Sequence, residues 1–310
     1  MSSVLDAVPC GYAHRDYAAA LSEFGVPLAL ERSGAWLLTS PIGSTSFTDA
    51  FGPYPLFSVE NPEFLADELR ACADALVSIY AISDPLRDEQ LPFLRQAFDV
   101  VRSYKPHYVV DLSIGFDAYM RRHHRRYAKR AFDQLEVVEA DRPIDHLDEW
   151  TGFYINLAKR HRITGLRRFS HHSFRRQLDV PGCHYFRALR GSEAVGGFIC
   201  YLDRGRAYAH LIATSPIGQS LHAQYALYWS AIEAFRQKAS HFDLGGVPGA
   251  AGAGNNGLAF FKAGWSTSTR NAYFCSRILD TKTYHRLAGP NHGTITSHFP
   301  AYRASILGAS

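Results

Sequence analysis

The stretch from Asp243 to Trp265 holds the residues best suited to chemistry. It reads Phe242-Asp243-Leu244-Gly245-Gly246, a variable loop, then Leu258-Ala259-Phe260-Phe261-Lys262-Ala263-Gly264-Trp265. Asp243 closes a strand-like segment, and the two glycines behind it admit substrate or backbone at close range because neither carries a Cβ. A lysine set between Phe261 and Gly264-Trp265 loses part of its hydration and offers a point charge to a phosphate or a developing oxyanion. The plainer alternative, an aspartate capping local amides and a solvated lysine, is what composition alone favours.

Histidines are the next candidates. His210 falls on a strand and His222 at the start of a helix; an imidazole at either place titrates near neutrality and can take a proton from an attacking amine. The competing account is an ordinary hydrogen-bonded histidine. The chain has 15 histidines, but the adjacent pairs His123-His124 and His171-His172 point about 100° apart on a helix, and no His-x-x-x-His occurs. The 5 cysteines, Cys10, Cys72, Cys183, Cys200 and Cys275, are scattered without Cys-x-x-Cys spacing. No metal site and no disulfide framework is expected, and a reducing, cytoplasmic setting follows. Gly252-Ala253-Gly254-Asn255-Asn256-Gly257 satisfies G-x-G-x-x-G literally. It does not open a βαβ unit directly after a strand, so it reads as a loop covering a cleft rather than a dinucleotide fingerprint.

The densest charge cluster is Arg121-Arg122-His123-His124-Arg125-Arg126-Tyr127-Ala128-Lys129-Arg130. Phe116, Met120, His123, Tyr127 and Ala131 step by four, three, four and four, which predicts a buried helical stripe with the cations on the remaining arc. Arg125, Arg126 and Lys129 are candidates for gripping phosphates; a merely solvated helix face is the alternative.

These groups need a scaffold. With 310 residues, 46% apolar and 20% charged, and a net charge of +4, the chain can bury two cores and carries no polybasic tail. No run of about 20 apolar residues predicts a transmembrane helix, and the first ten residues lack the basic and apolar segments of a secretory signal. In the second half, Leu147, Trp150, Tyr154 and Leu157 mark a helix and Ser170 caps another. Three strands follow, joined by the hairpin turns Arg190-Gly191-Ser192-Glu193 and Asp203-Arg204-Gly205-Arg206. A helix over Leu221–Phe235 then leads to the strand His241–Leu244. The first half repeats this order faintly: a helix near 63–76 opened by Asn61-Pro62, a strand at 77–82, and a Gly/Ser/Pro-rich loop over 41–55. The expected fold is α/β with mixed (α+β) sheets in two related halves, the boundary at Arg142-Pro143.

Phe-Asp-Leu-Gly-Gly followed by Phe-Lys-Ala-Gly-Trp resembles the signature of the Fem family of peptidoglycan-bridge aminoacyltransferases and its relatives in the GNAT acyltransferase superfamily. The likeness continues through Asp111-Leu112-Ser113 with the arginine-rich helix, and from Tyr208-Ala209-His210 through Ala213-Thr214-Ser215 to the next helix. It spans about residues 107 to 280; Asp49–Tyr54 adds a faint match. The resemblance implies tandem GNAT-like domains: a degenerate one over 1–142, a catalytic one over 143–280, and a C-terminal segment, 281–310, packing back on the first. It places Lys262 near the donor and transferred group and gives Asp243 an organising role. It also implies an oxyanion site on the backbone of Ile212, Ala213 and Thr214, with Gly245 and Gly246 lining the donor channel.

CoA-using relatives cradle pyrophosphate in a glycine-rich turn at a helix N-terminus. Here that place reads Thr214-Ser215-Pro216-Ile217-Gly218-Gln219-Ser220-Leu221. It keeps one glycine, leaves Gly218 and Ser220 as candidate phosphate or ribose contacts, and, with Ser220 as cap, also suits a plain helix start. The departure favours an aminoacyl-tRNA donor over acyl-CoA. The expected activity is N-acyl transfer to an amine, on a small molecule or cell-wall precursor, with no covalent enzyme intermediate and no tightly bound cofactor. An acyl-CoA-dependent transferase and a non-catalytic RNA- or nucleotide-binding module are the alternatives.

Overall fold

The computed structural model describes residues 9–247, 256–289 and 299–303. In chain order the elements are α1 (Arg15–Ala20), β1 (Val26–Leu30), β2 (Ala35–Pro41), β3 (Thr48–Phe51), α2 (Leu65–Ala71), β4 (Ser78–Ile82), α3 (Leu91–Ala97) and β5 (Val100–Asp111). Then come α4 (Phe116–Tyr119), α5 (Arg122–Phe132), β6 (Glu136–Glu139), α6 (Leu147–His161), α7 (His171–Gln177), β7 (Cys183–Arg190), β8 (Glu193–Asp203) and β9 (Arg206–Thr214). The chain closes with α8 (Pro216–Ser220), α9 (Ala223–Phe235), β10 (His241–Asp243), α10 (Asn256–Ala263), β11 (Ser268–Ile278) and α11 (Thr281–Ala288).

Two compact units form. One comprises residues 1–20 with 105–271, the other 21–104 with 272–310. The chain passes between them inside β5 and near the start of β11, not at Arg142-Pro143. Residues 105–142 go with the second half because β5 pairs antiparallel with β10 and α5 packs on α9. Pro143 merely opens a 3-10 turn ahead of α6, and the described part of 281–310 belongs to the unit holding β1–β4.

Both units are mixed sheets with one pattern. In the first the order is β5-β10-β9-β8-β7-β6, with only β9 and β10 parallel. In the second it is β1-β2-β3-β4-β11, with only β3 and β4 parallel. The parallel pair in each is joined by a segment containing a helix, and each is flanked by an antiparallel strand, β5 or β11, from a distant part of the chain. The stretch 41–55, expected as loop, contains β3, whose residues Asp49–Phe51 are buried.

The first unit layers helices on both sheet faces, and strand alternation decides which side chain meets which. Phe186, Phe198 and Cys200 meet α9 and α5 in one core with Phe242, Phe235 and Trp265. The alternating Tyr185 and Tyr201 turn to the other face, against Trp150 of α6 and the Gln177 carbonyl of α7. Both predicted hairpins form, and Arg204 and Gly205 turn through positive φ of 41° and 72° between β8 and β9. Ser170 caps α7, its Oγ accepting the Ser173 N–H at 3.1 Å. Asn61 does not cap: its amide donates to the Arg32 carbonyl instead.

Candidate active site

β10 is only three residues long, yet its alternation sets the site. Phe242 and Leu244 enter the core, so Asp243 turns to the opposite face, where it is 3% exposed. A buried carboxylate needs donors. Oδ1 accepts the Gly245 N–H at 2.7 Å, and Oδ2 accepts from Nδ1 of His107 at 2.8 Å. His107 lies on β5, two residues from Val109, the register partner of Asp243, and therefore on the same face. Gly245 has a φ of +80°, which disfavours any side chain, and a Cβ on Gly246 would sit 2.6 Å from Cδ of Lys105. The glycine pair is thus required by a left-handed turn and by close approach of the β5 side chains.

Lys262 comes to the same turn from α10. Phe261 and Trp265 insert against Tyr225 and Tyr228 of α9, leaving Lys262 buried with Nζ donating to the Gly246 carbonyl at 2.7 Å. Burial pushes its pKa down to about 8; Asp243 opposes the shift and Lys105 adds to it. The lysine does not face bulk solvent.

α10 is docked by His124 of α5. Its Nε2–H donates to the Phe261 carbonyl at 2.8 Å, and its ring fills the space beside Gly264. Burial drives its pKa down to about 4, so it is neutral. This changes the expected stripe: α5 starts at Arg122, and its buried face is His124, Ala128 and Ala131, while His123 and Tyr127 are half-exposed. Phe116 belongs to α4, so the pattern Phe116-Met120-His123-Tyr127 spans a break and its phase slips by one residue.

β9 and β10 pair only over Arg206–Tyr208 and His241–Asp243. Beyond them β10 stays with β5, through Leu244 N–H to the Tyr108 carbonyl, while β9 continues along β8 to Thr214. A wedge opens between β9 and the Asp243–Gly246 turn. Ser215 N–H bonds to Val195 O, so by antiparallel alternation Ala213 also faces β8 and the amides of Ile212 and Thr214 face the open edge. Of the three candidates for holding a carbonyl oxygen, Ala213 is therefore turned away.

The helix start after β9 is built for packing. Ser215, not Ser220, is the cap, accepting the Gly218 N–H at 3.0 Å, and Pro216 occupies the first helical position. Ser220 is exposed and its hydroxyl donates back to the Ile217 carbonyl. Gly218 is required because a Cβ there would lie 2.1 Å from the Val195 carbonyl oxygen. Pro216 has no N–H, Gly218 N–H goes to Ser215 Oγ and Gln219 N–H to Ser215 O. The turn keeps too few free donors to cradle a pyrophosphate.

His210 is the extra residue of a bulge in β9, between Ala209 and Leu211, which pair with Cys200 and Ile199. Its Nε2–H donates to Gln177 Oε1 at 2.8 Å and its Nδ1 accepts from the Tyr12 hydroxyl at 3.0 Å. Burial pushes its pKa down to about 3. With both nitrogens engaged it has no lone pair for a substrate proton, so the general-base candidacy of His210 falls. His222 sits in a left-handed conformation at the start of α9, its ring edge-on to Tyr127 at 4.3 Å; burial, Arg130 and His123 lower its pKa.

Arg126 and Lys129 are exposed on α5. Arg126 and Arg130 lie over the Tyr127 ring at 5.1 and 5.8 Å, and Arg121 over the exposed Phe260 at 5.1 Å. Arg125 is instead paired with Asp117. Among the described residues no group of three or more His, Cys, Asp or Glu is arranged to hold a metal ion, and no helix is long and apolar enough to cross a membrane. Much of the variable loop, including the glycines of Gly252-Ala253-Gly254, lies outside the described residues.

Sequence reasoning missed His107 and His124. The signal for His107 was present: Lys105, His107, Val109 and Asp111 alternate along one strand, but only the pairing of β5 with β10 puts that face beside Asp243.

Residues 118–262 match the family model described as an acetyltransferase (GNAT) domain. No curated protein matches the sequence. The fold is similar to a crystal structure of FemX at 12% identity, covering 90% of this chain and 95% of that one, with a TM-score of 0.65. It is also similar to the C-terminal domain of a putative lysylphosphatidylglycerol synthetase from Agrobacterium fabrum, at 17% identity and TM-score 0.58, covering 84% and 87%. A third similar structure is L-PGS from Bacillus licheniformis, at 16% identity and TM-score 0.54, covering 86% and 93%. The domain match and the wedge of β9 and β10 agree with the tandem mixed-sheet expectation: the chain carries a GNAT acyltransferase domain over residues 118–262, and its fold is similar to that of FemX and of the lysylphosphatidylglycerol synthetase domain.

Proposed function

We propose that the chain transfers an aminoacyl group from an aminoacyl-tRNA to an acceptor amine at the wedge between β9 and the Asp243–Gly246 turn. The observation that carries this reading is the buried Lys262 ammonium, held at the Gly246 carbonyl beside Asp243. A low-dielectric cation suits a carbonyl that gains negative charge on attack, and the outward amides of Ile212 and Thr214 are the donors assigned to its oxygen. The amine nitrogen bonds to the carbonyl carbon, the ester C–O bond breaks, and the amine proton leaves; positioning supplies much of the rate. No protein nucleophile is required.

The donor assignment rests on two features. The turn at Ser215–Gly218 spends its N–H groups internally, which works against a CoA pyrophosphate. The α5 surface, with Arg126 and Arg130 over Tyr127 and with the exposed Lys129 on the same helix, offers cations to a polyanion. Both an amine and, by likeness to the lysylphosphatidylglycerol synthetase fold, a lipid headgroup belong in the test.

The test is mass spectrometry of products after incubating the chain with pooled aminoacyl-tRNAs and, separately, acyl-CoAs, against a panel of primary amines and phosphatidylglycerol vesicles. Transfer from tRNA that Lys262→Ala abolishes in a folded protein supports the reading. Transfer only from acyl-CoA, or undiminished transfer by Lys262→Ala, refutes it.

A further inference from the structure

We propose that His107 is the proton acceptor of the transfer reaction, with Asp243 as the residue that orients it. This rests on the acyl-transfer reading above and adds to it the group that takes the acceptor's proton.

His107 is 6% exposed. Its Nδ1 is tied to Asp243 Oδ2 at 2.8 Å, and Asp243 is itself anchored by the Gly245 N–H on its other oxygen. A carboxylate accepts only, so the imidazole proton sits on Nδ1 and the lone pair is on Nε2. Among the described residues Nε2 has no hydrogen-bond partner, nor is it one of the sealed, unpaired polar atoms of the interior. His210 and His124 are engaged differently. His210 spends both nitrogens on Tyr12 and Gln177, and the Nδ1 of His124 is sealed in the core. His107 alone of the three combines a carboxylate on one nitrogen with an open second nitrogen.

Its place in the fold agrees. A Cβ on Gly246 would sit 3.1 Å from His107 Cδ2, and one on Gly245 would sit 3.2 Å from Lys262 Nζ. Two adjacent glycines therefore hold an imidazole and an ammonium at one turn. As the amine nitrogen bonds to the acyl carbon, its proton passes to His107 Nε2; the imidazolium is stabilised by Asp243 and returns that proton to the departing ester oxygen. Atoms balance as amine plus ester giving amide plus alcohol. The charged groups around the ring are Asp243 on β10, Lys262 on α10 and Lys105 on its own strand.

The first test needs no variant activity. Long-range 15N–1H correlation spectra of the imidazole-labelled full chain at neutral pH report which His107 nitrogen carries the proton, with His107→Gln for assignment. The proposal expects Nδ1–H in the wild type; Nε2–H overturns it. Asp243→Asn should move the proton to Nε2, since Gly245 keeps the amide oxygen and the NH2 is left facing Nδ1. In the product assay, His107→Gln should lower kcat by about 10²- to 10⁴-fold, leave KM for the donor unchanged and remove the acid limb of the pH–rate profile. Wild-type kcat and an intact acid limb in a folded His107→Gln chain overturn this inference while leaving acyl transfer standing. Absence of transfer by the wild-type chain from both donors overturns the acyl-transfer reading and this one with it.

Discussion

The ring of His124 occupies the volume that any side chain at Gly264 would need: a Cβ there would fall 1.9 Å from Cε1 of the imidazole. The same ring donates to the carbonyl of Phe261, the residue before Lys262. One side chain of the basic helix α5 therefore fixes the C-terminal end of α10 by contact and by hydrogen bond together, and with it the lysine of the candidate site.

Gly264→Ala should accordingly destabilise the chain by about 1–3 kcal/mol, the usual cost of overpacking, read by urea unfolding. In a His124→Ala background the same substitution should cost less, because the space is vacated. Equal costs in the two backgrounds would show the pair to be uncoupled.

His124 also predicts an acid-sensitive window. Its pKa is about 4 when folded against an ordinary 6.5, so between these values the unfolded chain binds more protons and stability falls as pH drops. The full loss from this group is about 3 kcal/mol at most. His124→Gln should flatten that part of the stability curve between pH 6.5 and 4, with the remaining slope including the contribution of His210, whose folded pKa is about 3. An unchanged slope in His124→Gln would count against a neutral, buried ring.

Lys262 gives a window of the same sign at the alkaline end. Its pKa falls from 10.5 to about 8 on folding; between these values the unfolded chain again binds more protons, and stability rises with pH. The rise is worth about 3 kcal/mol at full extent. Lys262→Met should lose it while remaining folded at neutral pH, a stability cost that the wild type tolerates to keep an ammonium inside the site. If the wild type and Lys262→Met gained equally between pH 8 and 10.5, the lysine would have to be solvated.

What was legible in the sequence follows a physical divide. The paired motif around Asp243 and Lys262, the hairpins and the mixed-sheet class are written in local pattern: turn residues at fixed spacing, glycines next to a strand end, apolar periodicity. The contributions of β5 and β11 were not, since each completes the sheet of a distant segment and nothing local announces that pairing. His107 stayed hidden for this reason. The phase of α5 was obscured because Phe116 and Met120 imitate a continuous helical stripe across a break. Ser220 imitates a cap because it directly precedes the apolar periodicity that begins at Leu221, while the true cap, Ser215, sits five residues earlier and opens a separate short helix that Ser220 ends. Asp49, on a buried strand rather than a loop, was masked by the glycine and serine residues around it.

Asp49 carries its own prediction. It is wholly buried on β3 and is held by Arg303, whose Nε reaches Oδ2 at 2.8 Å, and by the Tyr302 hydroxyl at 3.0 Å. Removing the cation strands a buried carboxylate, which costs about 3–5 kcal/mol. Arg303→Met should therefore unfold the unit containing β1–β4 at lower urea, and Asp49→Asn in the same chain should recover part of the loss. A neutral effect of Arg303→Met would mean that the carboxylate is satisfied without it.

The donor assignment is the prediction with the widest consequence, and salt separates its versions. Arg126 and Lys129 stand on the exposed side of α5 and make no contact with the Asp243–Lys262 turn among the described residues. If a tRNA phosphate backbone docks there, Arg126→Glu and Lys129→Glu should raise KM for aminoacyl-tRNA and leave kcat at saturation near wild type. Each should also reduce the slope of log affinity against log salt by about one for every phosphate that the variant no longer neutralises. A CoA thioester, whose phosphate charges are confined to one nucleotide, should show neither change. Identical KM and salt slope in the variants would place the polyanion elsewhere and leave the arginine-rich helix as a solvated face, with His124 its one contribution to the site.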